Sequence, residues 1–157
     1  MSNTNARELL SKFVGSAQAQ MGLSTISAEG VPTTVLGGEY FISERGTLLF
    51  REYLESSVTN RNLLHALWFS RPVSIAVQLG DTSLHAQGVP THAHVAGPIF
   101  QQHYESATQT DPHADLATVW EIRVDQVDDV SPVRLRTEQD IRRPFFRHLD
   151  RLVQSSG

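Results

Sequence analysis

The apolar positions begin with a helical period. Leu9, Leu10, Phe13, Val14 and Ala17 form one stripe, which predicts a helix over 5–19 with Thr4 or Asn5 as its cap. The period then drops towards two. Residues 21–27 (MGLSTIS) read as a strand, and Glu29-Gly30 supplies turn chemistry before the next one. TTVLGGEYFIS, 33–43, reads as one strand with a bulge or a close backbone approach at Gly37-Gly38. TLLFREYL, 47–54, is a third strand after the turn at 44–46. Within VSIAVQL, 73–79, Val73, Ile75, Val77 and Leu79 share one face and Ser74, Ala76 and Gln78 the other. SLHAQGVPTHAHV, 83–95, is a further strand, and its interruption at Gly88 to Pro90 marks an edge or a bulge, because proline cannot donate to a ladder. ATVWEIRVDQV, 117–127, alternates again, with Trp120, Ile122 and Val124 inward.

Three more segments read as helices. PIFQQHYESAT, 98–108, carries Pro98 in its first turn. In 137–153, Ile141, Phe145, Leu149 and Leu152 are spaced 4, 4 and 3, with Pro144 kinking the helix or starting it. The third lies between the third and fourth strands. There Ser56, Ser57, Thr59, Asn60, Arg61 and Asn62 run directly into Leu63, Leu64, Ala66, Leu67, Trp68 and Phe69. The sum is a mainly β chain with peripheral helices, a six-stranded antiparallel barrel forming one domain over 1–157.

Charge and composition narrow the function. The net charge of −4 leaves no cationic surplus for a phosphate backbone, so nucleic acid is not expected as a partner. No apolar stretch is long enough to cross a bilayer, and MSNTNARELL lacks the pattern of an export signal, so a cytoplasmic protein with no membrane partner is expected. The chain has no cysteine, which removes disulfides, thiolate metal sites and cysteine nucleophiles together.

LSTISAEGVP, followed by two strands and then by VTNRNLLHALWFSRPVSIAV, resembles the pyridoxamine 5'-phosphate oxidase-like, FMN-binding split-barrel superfamily over roughly residues 8–131. The resemblance implies a homodimer with FMN in a groove between the subunits. It implies that Thr33, Thr34 and Val35 of the second strand, with Leu49 and Phe50 of the third, line the flavin ring. Ser57, Thr59 and Asn62 would meet the phosphate at the start of the helix, with Arg61 or Arg51 as the cation. Many members carry Lys or Arg just before or at the hydroxyl position, where this chain has Val58 and Thr59. That departure places the weight of phosphate recognition on Arg61, Arg51 or a residue of the second subunit. The activity implied is that of an FMN-dependent oxidoreductase acting on a small molecule, with no catalytic side chain marked. The alternatives are a non-catalytic dimer that binds a flavin or another anionic ligand, and a haem-handling split barrel.

Each feature also has a plainer reading. Ser, Thr and Asn are the usual helix N-caps, and capping uses the same amides as anion binding, so the 56–62 cluster supports both. His92 and His94 share a strand face, yet lack a paired carboxylate or thiolate in the sequence. No metal is assigned to them, and His85 or His103 would be the third ligand if one formed. Trp120 reads as core. The arginines at 134, 136, 142, 143, 147 and 151 are interspersed with acids and read as a solvated helix face, which Phe145 and Phe146 would anchor.

Overall fold

The structure is a computed structural model and describes residues 3–143. Its elements run α1 (Asn3–Val14), β1 (Gln20–Ile26), β2 (Pro32–Leu36), β3 (Glu39–Ile42), β4 (Leu48–Glu52), α2 (Val58–Phe69), β5 (Val73–Leu79), β6 (Thr82–His94), α3 (Pro98–Thr110), β7 (Thr118–Asp129) and α4 (Pro132–Arg142). The strands form one antiparallel sheet in the order β2-β1-β5-β6-β7-β4-β3.

That order forces the sheet to curl. β2 and β3 are its opposite edges, yet only Gly37 and Gly38 separate them in the chain. Three peptide steps reach about 11 Å at most. A flat sheet would hold those edges about 29 Å apart, six strand spacings. Both glycines have positive φ, 80° and 104°, a conformation that other residues adopt at a cost. The expected single strand over 33–43 is therefore two strands on opposite edges, and the sheet has seven strands rather than six.

The bulge expected near Gly88 is present, but β6 is an interior strand. β5 pairs with it only up to Val73↔Gly88, and from Val89 onward β6 pairs with β7 alone. Pro90 thus sits where one side of the ladder is already vacant, and its missing N–H costs no strand pairing. At Gly88 a Cβ would lie 2.4 Å from the Arg123 carbonyl oxygen, so this crossing of β6 and β7 admits no side chain.

Helix boundaries also differ from expectation. α1 ends at Val14, ahead of Gly15, and Thr4 and Asn5 lie inside it rather than capping it. α4 begins at Pro132, whose fixed φ suits a first turn, rather than at 137. Pro144 and the expected anchors Phe145 and Phe146 lie outside the described residues, as do Leu149 and Leu152.

The inner face of the curled sheet holds the main core, with Leu23, Leu48, Phe50, Ile75, Leu84, Trp120 and Ile122 all buried. α2 adds Leu63 and Ala66 to it, and α1 adds Ala6, Leu10 and Phe13. A smaller cluster of Leu49, Leu116 and Val119, with Ile99 and Phe100 of α3, covers part of the outer face. Leu49 and Phe50 belong to different clusters because successive strand residues point to opposite faces.

One hydrogen bond joins the main core to the mouth of α2. Trp120, fully buried on β7, donates its indole N–H to Asn60 Oδ1 at 2.9 Å. Asn60 in turn donates from Nδ2 to the Glu55 carbonyl and from its backbone N–H to Ser57 Oγ, each at 2.9 Å. Asn60→Leu strands the indole N–H in the core and should cost about 1–3 kcal/mol in denaturant unfolding. Tyr40 gives the opposite expectation. Its buried hydroxyl has no partner among the described residues, and burial pushes its pKa up to about 12. Tyr40→Phe should be neutral or stabilising by up to about 1 kcal/mol in the same measurement.

Candidate functional site

The residues suggested by sequence fall on two faces of the chain. On one side stands the N-terminus of α2. Ser57 caps it in extended conformation, φ −65° and ψ 150°, accepting from the Asn60 amide. The backbone amides of Val58 and Thr59 have no acceptor among the described residues. Thr59 is buried, whereas Arg61 is exposed and makes no ion pair among the described residues. Asn62, 2% exposed, donates to Thr25 Oγ1 on β1 at 3.1 Å and thereby fixes α2 against the barrel. Thr33 and Val35 of β2 stand opposite Thr25 and Leu23, on the same inward side. Thr34 points the other way, with Oγ1 2.8 Å from Ser24 Oγ.

Leu49 and Arg51 occupy the other face, beneath α3, while the Phe50 side chain turns inward against Tyr40 with ring centroids 5.2 Å apart. Any contact of Phe50 with a ligand outside the barrel would come from its backbone. Arg51 is 8% exposed: Nε donates to His103 Nδ1 at 3.0 Å, NH1 donates to Glu39 Oε2 at 2.9 Å, and the guanidinium lies 4.3 Å above the Phe41 ring. Tyr53 donates to the same Glu39 oxygen at 2.7 Å. A cleft of ≈ 430 Å³ opens beside this group, lined by Glu39, Arg51, Tyr53 and the end of α3.

A third group lies on this outer face. His94 Nε2 is 2.9 Å from Glu121 Oε1, and the His92 ring stacks on His94 with centroids 5.5 Å apart. The carboxylate that the histidine pair lacks in the sequence thus comes from β7, where Glu121 stands directly opposite His92. The bulge between Pro90 and His92 sets that register, and neither strand read alone reveals it. Neither His85 nor His103 joins the pair: His85 Nε2 meets Ser74 Oγ at 3.0 Å, and His103 serves Arg51.

Burial alone would raise the Glu121 carboxyl, but the hydrogen bond from His94 and the neighbouring imidazoles outweigh it and hold the group below its ordinary value. His103 is also pushed below its ordinary value, first by burial and then by the Arg51 guanidinium. Protonating its Nδ1 would turn the acceptor that Arg51 needs into a donor beside a fixed cation.

No protein-family model matches the sequence, and no curated protein matches it. Solved structures do match in shape. HupZ of Group A Streptococcus aligns with TM-score 0.61 at 15% identity, over 84% of this chain and 96% of HupZ. An FMN-binding protein from Syntrophomonas wolfei aligns with TM-score 0.62 at 12% identity, over 82% of this chain and 88% of that one. The chain shares the split-barrel fold of these structures. HutZ from Vibrio cholerae, a heme storage protein, shares that split barrel with TM-score 0.57 at 14% identity, over 78% of this chain and 92% of HutZ. Identities this low establish a shared fold and leave function to the site.

The split barrel should lose stability on acidification. An unfolded histidine binds a proton near pH 6.5, whereas folded His103 resists it, so stability contributed by His103 is full above about 6.5 and falls as pH drops below it. Glu121 acts in the same direction at lower pH, its share being lost as pH falls through its depressed folded value. His103→Gln retains an acceptor for Arg51 but does not titrate. Its Tm should fall less than that of the wild type between about pH 7.5 and about pH 5. Equal falls would show that His103 is not a source of the acid sensitivity.

Proposed function

We propose that this split barrel is an FMN-binding homodimer that carries out redox chemistry on a small molecule. The observation that carries the reading is the first turns of α2, where the Val58 and Thr59 amides have no acceptor among the described residues and Arg61, four positions past the Ser57 cap, is exposed with no ion pair among them. Such an arrangement suits a phosphate through hydrogen bonds, the helix dipole and full charge. An FMN-binding protein is among the structures of the same shape, which agrees with this choice of anion.

The distribution of the other residues favours two copies. Thr33, Val35 and Asn62 accompany the α2 mouth, whereas Leu49 and Arg51 lie on the opposite face of the sheet. One chain offers two partial surfaces, and a second copy would let the outer face of one subunit complete the mouth of the other. In that arrangement Arg61 is the phosphate's cation. Arg51 is held by Glu39 and His103 and serves to shape the wall beside the ring. The flavin, when bound, supplies the hydride or electron chemistry, and the protein supplies position and environment.

The purified protein should be yellow, absorb near about 450 nm and release FMN on denaturation, identified by its mass. Arg61→Ala should lower FMN affinity by about 10- to 100-fold, the loss expected for one charge-assisted contact. Thr59→Val should weaken retention more than it lowers Tm. Stoichiometric FMN in Arg61→Ala would remove Arg61 from the site. Light scattering should give a dimer. Bleaching of the colour by NAD(P)H would support turnover, and a flavin that no donor reduces would support a carrier.

A further inference from the structure

The group on the outer face has a chemistry of its own. His92 and His94 lie two residues apart on the segment of β6 that only β7 pairs, so both rings leave the same side of the strand. Glu121 projects from β7 on that side, 4% exposed. One donor atom from each of the three falls within 4.8 Å of the other two. In a tetrahedral site with donors about 2.05 Å from the ion, donor atoms lie about 3.3 Å apart, so the group is within a side-chain rotation of that geometry.

An ordinary His–Glu ion pair accounts for His94 and Glu121 but leaves His92 unexplained. His92 is exposed, and its only hydrogen-bond contact among the described residues is with the adjacent Thr91, at 3.3 Å. The two imidazoles rest nearly parallel, 16° between ring planes, beside one buried carboxylate, so their ring nitrogens and that oxygen converge on one point. The two strands fix Cα positions before any ion arrives, so little ordering entropy remains to be spent on binding.

We propose that His92, His94 and Glu121 form a mononuclear site for a divalent transition metal of the zinc and cobalt class. Two nitrogens and one oxygen suit such ions. The absence of thiolate disfavours Cu(I), and the scarcity of oxygen donors disfavours Mg²⁺ and Ca²⁺. Three protein ligands leave one position of a tetrahedral ion open to water or to a small ligand, the pattern of reactive rather than purely structural zinc. On binding, His94 Nε2 exchanges its contact with Glu121 for the ion, and each imidazole nitrogen that ligates must first be free of its proton. This site shares no residue with the mouth of α2, and it borders the wall that the flavin reading assigns to the ring, since Glu121 is the cross-strand partner of Leu49.

The test uses tag-free protein stripped with a chelator and titrated with Co²⁺ alone. One equivalent per chain should produce visible absorption bands of a low-symmetry Co²⁺ complex, and Zn²⁺ should displace them. His92 is exposed, so His92→Ala should fold normally by circular dichroism and lose affinity by about 100-fold or more. His113→Ala, at an exposed histidine outside this group, should bind as the wild type does. Zn²⁺ should raise the Tm of the wild type but not of His92→Ala. Absence of stoichiometric binding, equal binding by His92→Ala, or a Soret band with haem and no uptake of free Co²⁺ would each overturn the proposal.

Discussion

The structure turns on a single buried hydrogen bond, from the Trp120 indole to Asn60. Trp120 is among the largest fully buried side chains in the barrel, and an indole N–H enclosed there needs an acceptor. Asn60 supplies it from the first turn of α2, and with its remaining donors holds the Glu55 carbonyl and the Ser57 cap. The loop that precedes α2 is therefore tied to the deepest part of the core. Asn62 adds a second tie, to β1. The Ser/Thr/Asn-rich stretch is in the first place a device for seating a helix in the mouth of a curled sheet. Its leftover amides at Val58 and Thr59 are what make it available to an anion.

The outer face is organised by a different rule. Arg51 is a buried cation, and such a group persists only when its donors are matched. Glu39 supplies charge, His103 a neutral acceptor and Phe41 a ring face. These partners come from β3 and α3, so one side chain clamps α3 onto the sheet beside the small apolar cluster. His92, His94 and Glu121 lie on the same face, brought together by strand register and joined by the contact of His94 with Glu121. The α2 mouth and the outer face thus offer anion and cation chemistry respectively, on opposite sides of one sheet.

Much of the fold was legible in the sequence because alternation survives wherever one face of a strand is buried. β5 and β7 read correctly down to their inward residues, Val73, Ile75 and Val77 and then Trp120, Ile122 and Val124. Pro98 and Pro132 both stand at helix starts, though only Pro98 was read as one. The seventh strand was hidden because two glycines with positive φ look like a bulge until the edges they join are known. Site residues that depend on register were out of reach. Glu121 is one acid in an alternating strand until the bulge in β6 brings His92 opposite. Asn60 looked like one more capping residue, because nothing local shows that an indole sixty positions away needs its oxygen. Phe50 looked equivalent to Leu49 in sequence and is separated from it by the thickness of the sheet.

The claim that the α2 mouth and the barrel core are one cooperative unit can be read from the chain's two tryptophans. Trp68 is 79% exposed on α2 and Trp120 is fully buried against Asn60, so the first serves as an internal reference for the second. The decisive measurement is hydrogen exchange of the two indole N–H groups by NMR. The account predicts that Trp120 exchanges only through global unfolding, with a protection free energy equal to that from denaturant titration, while Trp68 exchanges close to the rate of a free indole. Exchange of the Trp120 indole well below the global free energy would show that the mouth opens without the core, and would contradict the account.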